Sequence, residues 1–198
     1  MIQYLITGFE PFTTGQGLKL THNPTGKTAQ RIADRLENAY AATLPVAYRE
    51  TRPALEKLFE SYRPLIWLGL GYAPHRLKID VETVALNLEH ATSSDNAGES
   101  PNMRPIIAEA PLAYRSRINE ASAVDILKGY NLDAQIATHA GTFLCNQSFF
   151  VGCHVAENSD FLKVGSFIHV PPLESFEVLE EALAEVLRKE AQTVVMAR

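Results

Sequence analysis

Short apolar runs alternate along the chain with longer stretches in which apolar residues recur every three or four positions. The runs Ile2–Thr7, Ala42–Val46, Leu65–Leu68, Ala134–Thr138 and Val164–Val170 predict buried strands. Gly8 stops the first, Pro45 interrupts the second, and Gly69 and Gly71 end the third. Leu77–Leu88 alternates, with Leu77, Ile79, Val81 and Thr83 on one side, and predicts a strand or a bent pair of strands. Helical periodicity covers Thr28–Asn38, where Ala29, Ile32, Ala33 and Leu36 share a face, then Arg52–Tyr62 with Pro53 near its start, and Arg117–Lys128 closing at Gly129. Two further helices are predicted over Asn146–Glu157 and Glu174–Ala191. Glu89–Pro105, rich in Ser, Asn, Asp, Gly and Pro, reads as a long loop, and long loops in compact domains often carry function.

Strands alternating with helices predict an α/β domain around a mainly parallel sheet. In such folds ligands sit at the carboxyl ends of strands, which singles out Gly8–Thr14, the turn after Thr138 and the turn after Val170. The length of 198 residues fits one domain, taken as residues 1–198.

Composition narrows the function classes. With 46% hydrophobic and 21% charged residues the balance is that of a globular protein. The net charge is −5 and no run of Lys and Arg stands out, so neither nucleic acid nor an anionic membrane is an expected partner. No signal peptide is visible, and no stretch approaches the roughly 18 apolar residues of a membrane span. A soluble, cytoplasmic protein is expected. Cys145 and Cys153 suit a reducing compartment. On one helix they stand about 12 Å apart, beyond the Cα separation of about 7 Å that a disulfide tolerates.

Several motifs suggest chemistry without supplying all of it. Pro24-Thr25-Gly26-Lys27-Thr28 resembles a phosphate loop, but that loop needs Gly where position 21 is Thr, and the segment reads as a turn and helix start. Gly69-Leu70-Gly71 follows a strand, yet the third Gly of a dinucleotide fingerprint falls on Pro74. His75, His90 and His154 match no metal-ligand spacing and read as surface or loop residues, so no metal is expected. Asp80 and Glu82 lie two apart on one side of a strand, as acid–base carboxylates or as exposed strand residues.

Thr138–Asn146 joins a strand to a helix and places Cys145 at or near the helix N-terminus. There the dipole and free backbone N–H groups favour a thiolate and can hold a developing oxyanion. Gly141 allows the tight backbone this requires. The partner candidate is His169, which ends the strand Val164–Val170 just before Pro171-Pro172; a strand-end His beside a strand-end Cys can form a dyad, or merely cap a strand.

These residues resemble the pyroglutamyl-peptidase I family. Gly8-Phe9-Glu10-Pro11-Phe12 resembles its Gly-Phe-Asp/Glu-Pro-Phe signature, and Asn23-Pro24-Thr25 its Asn-Pro-Ser/Thr element. Glu82–Asn87 resembles Glu-Arg-Val-Ala-Ile-Asn, and Asp95-Asn96-Ala97-Gly98 matches Asp-Asn-x-Gly. Ala140–Asn146 resembles the nucleophile motif and Phe167–Pro171 the histidine motif. The matches keep the family order from residue 8 to residue 171. The resemblance implies a three-layer α/β/α sandwich of phosphorylase/hydrolase-like fold with a mainly parallel mixed sheet. It also implies no cofactor, tetrameric assembly, and small peptides with a blocked N-terminus as substrates. Carried over, Cys145 is the nucleophile, His169 the general acid–base and Glu82, rather than Asp80, the group that orients the imidazole. Phe9, Phe12, Phe143 and Leu144 then line the pocket for the pyroglutamyl ring, although plain core packing also accounts for phenylalanines.

The chain departs from the family in three places. Its Gly-Gln-Ala-Gly-Gly-Arg loop is matched to Gly69–Pro74, which sets Leu70 at the Gln; an Arg of the family falls at Thr92; and Phe-Gly-Gly becomes Phe12-Thr13-Thr14. Leu70 and Thr92 keep open a thiol hydrolase of another N-acyl amino acid or small amide. A non-catalytic protein that binds a lactam or a peptide end is the remaining alternative.

Overall fold

The structure is a computed structural model that describes residues 3–13 and 20–196. Ile2 and Thr14, which belong to predicted segments, lie outside the described residues. The chain runs through β1 (Tyr4–Phe9), α1 (Pro24–Ala33), β2 (Ala39–Leu44), α2 (Tyr48–Tyr62), β3 (Ile66–Tyr72) and β4 (Ile79–Leu86). It continues through β5 (Ala113–Arg115), α3 (Glu120–Gly129), β6 (Ala134–His139), α4 (Leu144–Asn158), β7 (Val164–Val170) and α5 (Glu177–Met196).

The strands form one sheet in the order β2-β1-β3-β7-β4-β5, with β6 also paired to β4. β2, β1, β3 and β7 are parallel, and β4 turns antiparallel to β7, setting Asp80 opposite His169. β6 follows β4 in parallel and β5 pairs with it antiparallel. The sheet is therefore mixed and mainly parallel.

Side-chain alternation along a strand assigns neighbours to opposite faces. Ile6, Leu68, Leu70, Ile168 and Val170 pack with residues of α1, α3 and α5. Leu5, Trp67 and Phe167 pack with residues of α2 and α4. The result is a three-layer α/β/α sandwich. His169 shares the parity of Phe167 and so faces the α2/α4 layer.

The predicted elements are recovered with shifted ends. β6, α4 and β7 differ from expectation by no more than two residues. α1 covers Pro24–Ala33 rather than Thr28–Asn38, because Asn23 caps it: its Oδ1 accepts the Thr25 N–H at 3.1 Å and Pro24 fills the first turn. α2 begins at Tyr48 and carries Pro53 inside it, and α3 begins three residues later than predicted, where Asn119 Oδ1 accepts the Ser122 N–H. α5 spans Glu177–Met196 instead of Glu174–Ala191. β2 ends at Leu44, before Pro45. β3 runs through Gly69 and Gly71 instead of stopping there, since both are wedged against β7 side chains. Leu77, expected inside a strand, is exposed in the turn before β4. β5 was not predicted; three residues are too few to show a period.

Candidate active site

Phe9 closes β1, and its N–H donates to Thr25 Oγ1 at 3.0 Å, while Asn23 Nδ2 donates to Glu10 O at 3.0 Å. The Asn-Pro-Thr element thus fixes the turn that carries Phe9 and Phe12. Gly8 makes this possible, since a Cβ there would fall 2.2 Å from the Thr25 backbone. The loop predicted over Glu89–Pro105 is tied down too: Asp95 Oδ1 accepts the N–H of Ala97 and Glu99, and its Oδ2 accepts the N–H of Tyr48 at 2.7 Å.

After β6 the chain turns at Gly141, whose φ of +79° suits glycine, and enters α4. Cys145 lies in the first turn of that helix, which has no side-chain cap and no acidic residue of its own there. Asn146, fully buried, clamps the helix start to β4. Its Oδ1 accepts the Leu86 N–H at 2.9 Å, and its Nδ2 donates to Leu86 O at 2.8 Å and Leu88 O at 3.0 Å. β6 and β7 are not neighbours, as a strand-end dyad would suggest; β4 lies between them, and this clamp sets the position of Cys145.

His169 is braced from β4. Its Nδ1–H donates to Glu82 Oε1 at 2.7 Å, and both residues are buried. Arg76 donates to the same Oε1 at 2.7 Å and also to Asp80, whose other oxygen accepts from Gln135 Nε2 at 2.8 Å. The two carboxylates weighed in the sequence therefore divide: Glu82 meets the imidazole, and Asp80 holds Arg76. Arg76 was missed. The six-residue loop compared with Gly69–Pro74 also fits two residues later, from Gly71 to Arg76, and then ends on this arginine.

Burial governs the protonation states. Burial, followed by the nearby Glu82 carboxylate, pushes the Cys145 thiol up to about 12, against the opposing pull of Arg76 and of its own backbone N–H. Burial lowers the His169 pKa, with the Glu82 hydrogen bond acting the other way. Both shifts favour a neutral thiol beside a neutral imidazole at rest. The helix N-terminus does not make Cys145 a standing thiolate, because desolvation outweighs it.

Two clefts meet at Cys145. One is narrow, about 20 Å³, and is lined by Phe9, Phe12, Phe143 and Leu144 with Asn23, Val46 and Tyr72; none of these is charged. The other, about 250 Å³, holds His169 and Arg76 and extends over the β3–β4 turn and the turn after β6. Phe9 and Leu144 are buried in both senses, core and slot, whereas Phe12 and Phe143 are half-buried. Leu70 is fully buried on the opposite face of the sheet, and Thr92 is exposed away from both clefts. The departures that do reach the site are therefore not these two but Tyr72 and its neighbours.

A profile of the pyroglutamyl peptidase family matches residues 2–196. The chain belongs to this family. Among curated family relatives, the pyrrolidone-carboxylate peptidase of Thermosipho melanesiensis is 34% identical over 172 residues, covering 86% of this chain and 83% of its own. That of Pyrococcus furiosus is 33% identical over 175 residues, with 86% and 81% covered. Solved family structures superpose closely. The pyrrolidone carboxyl peptidase of Thermococcus litoralis gives a TM-score of 0.88 at 29% identity over 100% of this chain and 97% of that one. Pyroglutamyl peptidase I of Bacillus amyloliquefaciens gives 0.85 at 26%, over 94% and 95%.

Other family-like residues serve as anchors. Asn87 holds the 106–110 segment through both its side-chain oxygen and nitrogen. His154 lies on α4 rather than in a loop and meets Tyr114 Oη at 2.9 Å. Cys145 and Cys153 are both free thiols. Among the described residues no cluster of three or more His, Cys, Asp or Glu is placed to hold a metal, and no helix is long and apolar enough to cross a membrane.

Gly71 makes room for the imidazole. A Cβ there would stand 2.7 Å from His169 Cδ2 and 2.8 Å from Nε2. Gly71→Ala is expected to push the ring off Glu82 and lower kcat/KM by about 10²-fold, the scale of a 1 Å misplacement. The nitrogen-15 spectrum of His169 checks this: the Nδ1–H resonance hydrogen-bonded to Glu82 should shift or disappear in the variant.

Proposed function

We propose that the protein removes an N-terminal pyroglutamyl residue from small peptides through a thioester on Cys145. One observation carries this reading: an imidazole braced by a buried carboxylate shares a cleft with a thiol that also borders an uncharged aromatic slot. A free N-terminal ammonium entering that slot would be desolvated without a counter-charge, whereas a lactam is neutral. At about 20 Å³ the slot holds little more than one water, so the ring enters as the half-buried Phe12 and Phe143 side chains swing apart.

Cys145 Sγ attacks the pyroglutamyl carbonyl as His169 Nε2 takes the thiol proton. Glu82 holds Nδ1–H and balances the imidazolium as it forms, and Arg76, anchored by Asp80, keeps Glu82 ionised in its buried position. Amides of the first turn of α4 face the oxyanion. The imidazolium returns its proton to the leaving amine. Water, deprotonated by His169, then opens the thioester and frees pyroglutamate. The substrates on this reading are peptides whose N-terminus is closed as a lactam; composition places the enzyme in the cytoplasm, and the resemblance implies a homo-oligomer, a tetramer as in the family.

Release of a fluorophore from a pyroglutamyl amide tests the assignment; turnover of other N-acyl amides with none of the pyroglutamyl compound would replace it. The protonation states add a pH signature. Because the His169 pKa is lowered, the base form persists below the ordinary imidazole value of about 6.5. The acid limb of kcat/KM is therefore expected below pH 6.5, with a plateau through neutrality. The same shift makes the unfolded chain bind this proton more readily, so stability falls as pH drops below about 6.5. An acid limb centred above pH 7 would contradict the neutral pair.

A further inference from the structure

The wider cleft has no assigned occupant, and its position relative to the two reacting groups defines one. The narrow slot touches Cys145 but not His169, whereas the wider cleft touches both. The proton that His169 carries goes to the leaving amine, so the residue released must lie on the side of His169. The end of β3 and the turn to β4 give this cleft Tyr72, Pro74 and His75, and the turn after β6 gives it Ala140, Gly141 and Phe143. Ring side chains thus stand on both contributing segments, and the lining is mainly apolar. The charge of Arg76 is already taken up by Glu82 and Asp80, so the cleft offers no free cation of its own from that residue. When the six-residue family loop is set from Gly71, Tyr72 stands at its Gln, and Pro74 and His75 stand at its two glycines.

We propose that this cleft is a subsite for the side chain following pyroglutamate and that it selects a bulky apolar or aromatic residue there. The inference rests on the thiol-peptidase reading above. Its volume of about 250 Å³ accommodates a phenylalanine or leucine side chain. A glycine in that place would leave Tyr72, Pro74 and His75 without contact, and an aspartate would bring an unpaired carboxylate against an apolar wall.

The test is the rate of pyroglutamate release from pyroglutamyl-X amides with X as Phe, Leu, Gly or Asp. Wild-type kcat/KM should be about tenfold higher for Phe and Leu than for Gly and Asp, in the range set by a few buried methylene groups. His75→Gly and Pro74→Gly, both in the turn and tested separately, should compress that ratio toward one. Equal kcat/KM across the series in the wild type, or an unchanged ratio in both variants, overturns the subsite. Failure of every pyroglutamyl amide, with other N-acyl amides cleaved, overturns the peptidase reading itself and the subsite with it.

Discussion

Cys145→Ala is expected to abolish pyroglutamyl release, leaving no more than about 10⁻⁴ of the wild-type kcat, on the scale seen when the nucleophile of a covalent hydrolase is removed. The fold should survive. The side chain is half-buried, and the helix that carries it is fixed by Asn146 rather than by the sulfur. Cys145→Ser is the sharper variant. It keeps the shape but substitutes a hydroxyl that a neutral imidazole deprotonates far less readily, so it too should fall by several orders of magnitude. The measurement is single-turnover release of pyroglutamate, with thermal melting of both variants beside wild type. Retained turnover in a folded Cys145→Ala sample would move the chemistry to another residue.

Glu82→Gln should cost the second-largest factor, about 10³- to 10⁴-fold in kcat, comparable to the loss when the carboxylate that orients a catalytic histidine becomes an amide. Here the reason can be traced atom by atom. Oε1 accepts from both His169 Nδ1 and Arg76 Nη1. An amide oxygen can accept both, but it brings no charge to balance the imidazolium that forms during attack. The amide NH₂, if turned inward, would face the guanidinium and the ring, and donors would oppose donors. Substitution also removes the charge that raises the thiol, so the Cys145 pKa should fall even as turnover falls. Alkylation by iodoacetamide as a function of pH separates the two effects. The variant should alkylate at lower pH than wild type while hydrolysing more slowly. A variant with wild-type kcat would show that Glu82 is structural only.

The fold was legible wherever an element announces itself in one dimension. Val164–Val170 is a continuous, mainly apolar run because it is buried on both faces in the middle of the sheet, and the strand has those bounds. The helix after Cys145 follows from its own periodicity. Ends were less legible because they depend on caps: Asn23 starts α1 four residues before Thr28, where the periodicity places it, and Asn119 delays α3. The glycines of β3 read as stops, since nothing in a single strand reveals that Phe167 and His169 on its neighbour need the space. Within the candidate site, Cys145, His169 and Glu82 stood out as candidates through the motifs around them, and the structure sets Glu82 against His169. Arg76 was not, because its significance is a contact with two carboxylates four and six residues away on a different element, at a place where the loop was matched out of register. The burial that keeps the thiol protonated was invisible for the same reason: a helix N-terminus can be read from sequence, but the desolvation that outweighs it belongs to the packed structure.

Cys145 and His169 both take their places from one strand. Asn146 binds the thiol-bearing helix to the end of β4, and Glu82, from within β4, holds the imidazole. Much of the walls of the two clefts comes from elsewhere, from the ends of β1, β3 and β6 and the turns that follow them. Chemistry and selectivity thus meet in the β3–β4 turn, which carries Arg76, the partner of Glu82, beside Pro74 and His75 of the cleft wall. On the subsite proposed above, a change at Pro74 or His75 alters the peptides accepted and, one or two residues from Arg76, also bears on how firmly Glu82 is held against His169.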